Sequence, residues 1–382
     1  MATLFFMPWA TVNAPLNIGH IRAVPYERGK SPGALGGLTQ SAIDGVLGNY
    51  GDRAHHPNTD STTPVSQAVI LRWPDDDQDE ASLSAEAIQD RMQQCQCVVF
   101  AALAHRRFGS HFDYCNSDGL TVIAQQFDQS DSSATAVTTR RRDGQSTAYV
   151  SGSRNKQLFF KPMHLQARCS LTVDTGLAEA LLSMSNGEVR DRVQDAIALY
   201  NRANTDASEV PADVEIVMMR AALETLLGSG HKSKQLKDKL LALLSPYLGP
   251  AQWHKGNIDA SVWQARWKGA NRPIEAWVDD FSNARNESAH GRSAAGYAAS
   301  IWSLQTHLLF ASWFMPRVVK ALMATQNMYS LTQDDRGELE GVEKLFAWDL
   351  IATDINGHIY WFEALAEVES SKIGRLLRVA MT

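Results

Sequence analysis

Residues 211–230 read PADVEIVMMRAALETLLGSG, and this stretch decides the fold of the C-terminal half. Pro211 suits the first turn of a helix, and Gly228 or Gly230 suits its end. Between them the chain is apolar nearly all round, so the helix is expected at the centre of a bundle. Arg220 and Glu224 are polar exceptions within it. A carboxylate buried among apolar neighbours needs a partner. Arg285 or Arg220 could serve, or Glu224 could sit at the helix margin and face solvent.

The flanking segments carry the same helical period. In EVRDRVQDAIALYNRAN, Val189, Val193, Ala196, Ile197, Tyr200 and Ala203 form one stripe. SKQLKDKLLALLSPYLG is amphipathic and stops at Pro246. NRPIEAWVDDFSNARNESAHG opens on Asn271 and Pro273, both start signals. SAAGYAASIWSLQTHLLFASWFMPRVVKALM is long and apolar, with Pro316 expected to kink it. Beyond it lie two aromatic-rich runs joined by INGH, where Asn356-Gly357 is a strong hairpin signal.

Residues 1 to about 172 follow another pattern. TLFFMPWATV, QAVILRW, CVVFAALA, GLTVIAQQF, TAYVSG and QLFFKP are short apolar or alternating runs separated by turn-forming residues. SLSAEAIQDRMQQCQ is expected to be a helix capped by Ser82 or Ser84. PDDDQDE and DQSDSSATAVTTRRRDG are expected to be solvated loops. The fold class is therefore α+β. A β-rich region spans 1–172, an all-helical bundle 173–330, and a small terminal hairpin extension 331–382 packs on the bundle.

Composition narrows the function. The chain has 382 residues, of which 44% are hydrophobic, enough for two or three domains with real cores. A net charge of −6 excludes a uniformly basic nucleic-acid coat but allows a local basic groove. No run reaches the roughly 18 apolar residues of a membrane span, so no membrane is expected as a partner. The opening MATLFFMPWATV lacks a basic start and is interrupted by Pro8, unlike a signal peptide. With four cysteines, the Cys95-x-Cys97 pair too tight for an ordinary disulfide, a reducing cytoplasm is expected. His55 and His56 are adjacent without accompanying carboxylates and read as a surface loop.

One polar helix end stands out: FSNARNESAHGR, residues 281–292. Trp277, Val278, Phe281 and Ala284 make the buried stripe, which Arg285 borders. His290, five positions on, falls about 140° away on a straight helix. If Gly291 adopts a left-handed conformation, the helix stops near Ala289 and His290 can swing beside Arg285. Asn286 could hold the turn or a substrate. Arginine beside histidine suits phosphodiester cleavage in RNA. The guanidinium grips non-bridging oxygens, the imidazole moves a proton near neutrality, and the 2′-hydroxyl serves as nucleophile. No cofactor or metal is called for. The competing reading is a helix C-terminus, where cations and a His-Gly cap are ordinary.

ALETLL (222–227), the basic amphipathic helix after it and ARNESAHG (284–291) resemble the HEPN superfamily, most closely its Apea-like branch, over roughly residues 177–325. Arg285, Asn286 and His290 match the family pattern, and Gly291 matches a glycine frequent after the histidine. The resemblance implies a metal-independent endoribonuclease that acts as a homodimer with a composite site. It implies 2′,3′-cyclic phosphate and 5′-hydroxyl products, and a bacterial toxin or anti-phage role. Glu224 and Gly291 would support the site from behind. Lys232, Lys234 and Arg292 are candidate RNA contacts, although a solvated amphipathic face is the simpler reading of the lysines. Arg140, Arg141 and Arg142 read as a charged loop, and Trp253, Trp263, Trp267, Trp277, Trp302 and Trp313 as core. The alternative function is an inactive HEPN-like module that binds RNA or dimerises. The N-terminal region would restrain or trigger the activity, with a regulatory partner unidentified.

Overall fold

Alternation along Ala2–Met7 sends successive side chains to opposite faces of a sheet, and the N-terminal unit is built on that strand. The computed structural model describes residues 2–30, 38–52, 63–77, 83–108, 114–127, 135–140, 143, 146–151, 159–165, 168–250, 267, 269–290 and 302–347, with backbone alone for 135–140, 146–151 and 344–347. The chain divides into two units, Met1–Arg106 with Phe112–Ser183 and Arg107–His111 with Met184–Thr382.

In the first unit the strands are β1 (Ala2–Met7), β2 (Ala10–Thr11), β3 (Leu16–Ile18), β4 (Ile21–Glu27), β5 (Tyr50–Gly51), β6 (Gln67–Arg72), β7 (Ile123–Phe127), β8 (Thr135–Arg140), β9 (Ser146–Ser151), β10 (Phe159–Phe160) and β11 (Cys169–Ser170). Its helices are α1 (Gln40–Leu47), α2 (Ala85–His105) and α3 (Thr175–Leu182). Seven strands form an antiparallel sheet in the order β3-β4-β6-β1-β7-β8-β9, and two short parallel pairs, β10 with β5 and β11 with β2, lie outside it. On one face Leu4, Phe6, Val24, Tyr26 and Ile70 pack against Ile43, Val46 and Leu47 of α1. On the other, Phe5 meets Trp73 edge-on at 4.9 Å, and the Arg91 guanidinium of α2 lies over Trp73 at 4.7 Å.

Three readings of this region are corrected. CVVFAALA is not a strand: α2 runs unbroken from its Ser84 cap through it to His105. A short apolar run cannot by itself distinguish a buried strand from a buried helix, and here the helix already under way continues. Within DQSDSSATAVTTRRRDG, Thr135–Arg140 is a strand paired with β9, not a loop. Thr135-Ala136-Val137-Thr138-Thr139-Arg140 is short and polar and shows no apolar alternation, so only its pairing with β9 reveals it as a strand. Asp75 and Asp76 of PDDDQDE are not simply solvated. They close a short 3-10 turn and pair with Arg91 at 2.9 and 2.6 Å.

The second unit is helical: α4 (Glu188–Ala203), α5 (Ala212–Leu227), α6 (Ser233–Leu244), α7 (Pro273–His290), α8 (Leu304–Thr325) and α9 (Gln333–Ala347). α5 is packed by α4, α6, α7 and α8, as its all-round apolar surface requires. Pro211 precedes its first turn and Gly228, left-handed at φ 56°, ends it. Trp277, Trp302 and Trp313 are buried in this core, and Trp267 stacks on Trp302. Pro316 lies inside α8 and has no N–H for the carbonyl of Ser312, four residues earlier. The buried Tyr200 hydroxyl of α4 donates to that carbonyl at 2.6 Å, so the lost helical bond is replaced from a neighbouring helix.

The boundary between the units falls at Ser183, about ten residues beyond the one expected. α3 is helical but belongs to the sheet unit: its cap Asp174 donates from its backbone N–H to the Ala101 carbonyl of α2. The expected extension begins with a helix. α9 is fixed to the bundle by Lys320 with Asp335 at 2.6 Å and Arg272 with Glu343 at 2.7 Å. The Asn356-Gly357 hairpin, His55, His56, Trp253, Trp263, Arg141 and Arg142 lie outside the described residues. α8 is long and apolar enough to cross a membrane, contrary to the expectation that no segment would be, yet 67% of its apolar window is buried inside the protein, as in a core helix.

Candidate functional site

α7 carries the Arg-Asn-His motif. Phe281 and Ala284 are buried, Arg285 and Asn286 are half-buried, and His290 is exposed. The helix expected to stop near Ala289 is helical through His290, one residue further, and Glu287, Ser288 and Ala289 contain nothing that breaks a helix. Arg285 and His290 are therefore about 140° apart around the axis and about 7.5 Å apart along it. A single chain does not bring them side by side as expected. Gly291 and Arg292 lie outside the described residues.

The last turn of α7 is nonetheless fixed. Ser288 Oγ donates to Asp213 Oδ1 of α5 at 2.8 Å, where Asp213 also faces the positive end of its own helix. Arg285 Nη1 donates to Asn286 Oδ1 at 3.1 Å. Asn286 thus orients the guanidinium within the helix surface. Among the described residues Arg285 forms no ion pair, so its charge is available to an external anion.

Glu224 does not reach Arg285. Its Oε1 lies 3.1 Å from Arg220 Nη1, one turn earlier on the same helix, and its Oε2 lies 3.6 Å from His231 Nδ1. Of the two candidate partners, Arg285 and Arg220, the structure brings Arg220 to Glu224. Arg220 is 1% exposed. Burial lowers its pKa to about 10, opposed by Glu224 and Asp279 and reinforced by the nearby charge of Arg285. Arg220 thus remains cationic at neutral pH. Asp279 of α7 in turn receives Lys237 of α6 at 2.8 Å. Lys232 and Lys234 are exposed at the start of α6. Lys237 with Asp279 ties α6 to α7, while Arg220 with Glu224 lies within α5. Arg220 was visible in the sequence as a charge inside an apolar helix, but its neighbour across the helix seam was not.

A second acid–imidazole pair joins α7 to α8. Asp280 Oδ2 is 3.2 Å from His307 Nε2 of α8 and accepts from the Trp302 backbone N–H at 3.1 Å. Both side chains are fully enclosed, and Trp277, Phe281 and Trp302 surround the imidazole. No substrate reaches this pair. It anchors α7 to α8 and holds the motif helix in place. Periodicity gave no sign of it, since His307 looks like one polar residue on an apolar helix.

The four cysteines are buried, and burial pushes the Cys95 thiol well above its usual range, which removes it as a nucleophile. Among the described residues, no three His, Cys, Asp or Glu side chains converge as a metal site would require. Comparison with protein-family models, curated proteins and solved structures finds no match for this chain.

Proposed function

We propose that the chain is a HEPN-like, metal-independent endoribonuclease that works as a homodimer in the cytoplasm. Its biological role would be that of a bacterial toxin or anti-phage effector, with the N-terminal unit as the restraining or sensing part. The observation that carries the reading is the pairing, on one helix, of an unpaired half-buried Arg285 with an exposed terminal His290. On a straight helix the two face apart, so a two-fold partner is needed to complete the site. Each copy then supplies one histidine and one arginine.

The step balances without a cofactor. One imidazole takes the proton of the 2′-hydroxyl as its oxygen attacks phosphorus. The P–O5′ bond breaks, and the second histidine, as imidazolium, protonates the departing 5′-oxygen. The products are a 2′,3′-cyclic phosphate and a 5′-hydroxyl. Arg285 offsets the charge that builds on the non-bridging oxygens.

The test is incubation of the full chain with a single-stranded RNA pool and its fully 2′-O-methylated counterpart, both in excess chelator. Cleavage confined to the unmodified RNA, with cyclic phosphate ends, is expected. Activity abolished by chelator, or cutting of the methylated strand, contradicts the reading. RNA binding without cleavage supports the alternative of an inactive binding module.

A further inference from the structure

The turn between α5 and α6 gathers positive charge. Gly228 ends α5 in a left-handed conformation at φ 56° and has no side chain to fill the space beside it. Into that space come an arginine from α4 and a lysine from α6. Arg192 Cζ and Lys239 Nζ each lie 3.6 Å from the point that a Cβ on Gly228 would occupy. The two charge centres are thus at most about 7 Å apart, inside the screening length of about 8 Å at physiological salt. Like charges held this close disfavour each other until an anion joins them.

Helix capping explains only one of the two. Cations are ordinary at a helix C-terminus, and Lys239 Nζ donates to the Gly228 carbonyl. Arg192 is held differently. Its Nε is shut off from water and has no hydrogen-bond partner. Its one ion pair among the described residues is with Glu188, at 3.8 Å, and that carboxylate is 86% exposed. So long and solvated a contact contributes little. The guanidinium therefore rests against Gly228 with donors to spare. Gly228 and Lys239 are exposed, so a ligand can reach both cations. Lys232, also exposed, lies in the same turn at the start of α6.

We propose that Arg192 and Lys239 form a phosphate-binding subsite at the turn after α5. The ligand is a phosphate group: the guanidinium offers a fork of N–H donors and the ammonium a compact charge. Asp213, which touches the last turn of the motif helix, stands at the start of α5, and Gly228 at its end, about 22 Å away. The subsite therefore holds a phosphate of the RNA chain several nucleotides from the one that Arg285 grips. The inference rests on the ribonuclease reading for the identity of that polymer, not for the presence of the subsite.

The experiment measures binding of the full chain to a fluorescein-labelled, fully 2′-O-methylated single-stranded RNA by anisotropy, over a series of salt concentrations. Such RNA keeps its phosphates but lacks the nucleophile, so binding is read whether or not the protein cleaves. For single strands, each phosphate contact contributes about 0.7 to the slope of log affinity against log salt. Arg192→Gln and Lys239→Gln are each expected to flatten the slope by about 0.7, and to weaken binding about fivefold at about 0.1 M salt. The pair R192Q/K239Q is expected to flatten it by about 1.4. Arg202→Gln removes one charge from the far end of α4 and is expected to leave the slope unchanged. A merely structural Arg192 would shift the unfolding midpoint and not the slope. A parallel arm follows thermal unfolding in inorganic phosphate, with sodium chloride at matched ionic strength as reference. A midpoint gain that R192Q/K239Q loses, with RNA binding unaffected, assigns the subsite to a free phosphate instead of the polymer. A wild-type slope in R192Q/K239Q together with an unchanged phosphate response overturns the proposal, as does a wild type that binds neither ligand. Unmodified RNA that is bound through Arg192 and Lys239 but left uncut contradicts the nuclease reading alone.

Discussion

Tyr200→Phe removes one oxygen from a fully buried side chain and leaves the Ser312 carbonyl without the donor that replaces the missing proline N–H. A neutral hydrogen bond contributes about 0.5–1.5 kcal/mol, and leaving its buried acceptor unsatisfied costs about 1–3 kcal/mol. The expected loss is therefore about 2 kcal/mol. The cause can be isolated with Pro316→Ala, which restores an N–H one turn beyond Ser312 within α8. In that background the carbonyl has a helical donor again, and Tyr200→Phe should cost less than about 1 kcal/mol. Urea unfolding of the four proteins, followed by tryptophan fluorescence, completes a double-mutant cycle with an expected coupling of about 1–2 kcal/mol. An unchanged slope with a shifted midpoint identifies a stability effect. Equal costs of Tyr200→Phe in both backgrounds would refute the account of how α8 accommodates its proline.

Other consequences are equally specific. A Cβ added at Gly119 would lie 2.1 Å from Cys169 Sγ, so Gly119→Ala should destabilise the N-terminal unit by about 1–3 kcal/mol, and Cys169→Ala should relieve much of the loss in thermal melts. Burial opposes the charge on Asp335, but Lys320 and the Thr332 hydrogen bonds outweigh it and lower its pKa. That stabilisation is complete above the ordinary aspartate range, near about pH 4, and is lost as pH falls through the lowered value. Asp335→Asn should therefore flatten the acid limb of the stability profile, and at neutral pH it should cost about 3–5 kcal/mol by stranding Lys320. Ser84→Ala should cost about 1 kcal/mol, since its hydroxyl accepts from the Ala87 N–H at the start of α2; an unchanged urea midpoint would remove the cap from the account.

The helical unit was the more legible part of the sequence. Long segments with a repeating stripe, such as 188–203, specify both their type and their buried face. Gly228 and Pro211 mark the ends of α5 because each has a backbone property no neighbour shares. The N-terminal unit was harder to read. Val98, Val99 and Phe100 favour strands as residues, but they belong to a helix nucleated fourteen residues earlier at Ser84. β8 is short, polar and visible only through its pairing with β9. At the site, residue types and spacing singled out Arg285, Asn286 and His290 as candidates, and the angle between them on a straight helix applies to α7, which is helical through His290. What the sequence left open was whether His290 belongs to the last helical turn or swings out of it. The partner of Glu224 was undecidable from sequence between Arg220 and Arg285, because only packing fixes which guanidinium faces the carboxylate.

The central claim is that His290 moves a proton in RNA cleavage while Arg285 holds the phosphate. Its most direct test compares single-turnover cleavage of one labelled RNA by wild type, His290→Ala and Arg285→Ala, in chelator, with folding of each checked by circular dichroism. The account predicts a rate lower by about 10²–10⁴-fold for His290→Ala. For Arg285→Ala it predicts weaker RNA binding together with slower cleavage. Cleavage by His290→Ala at the wild-type rate would contradict it.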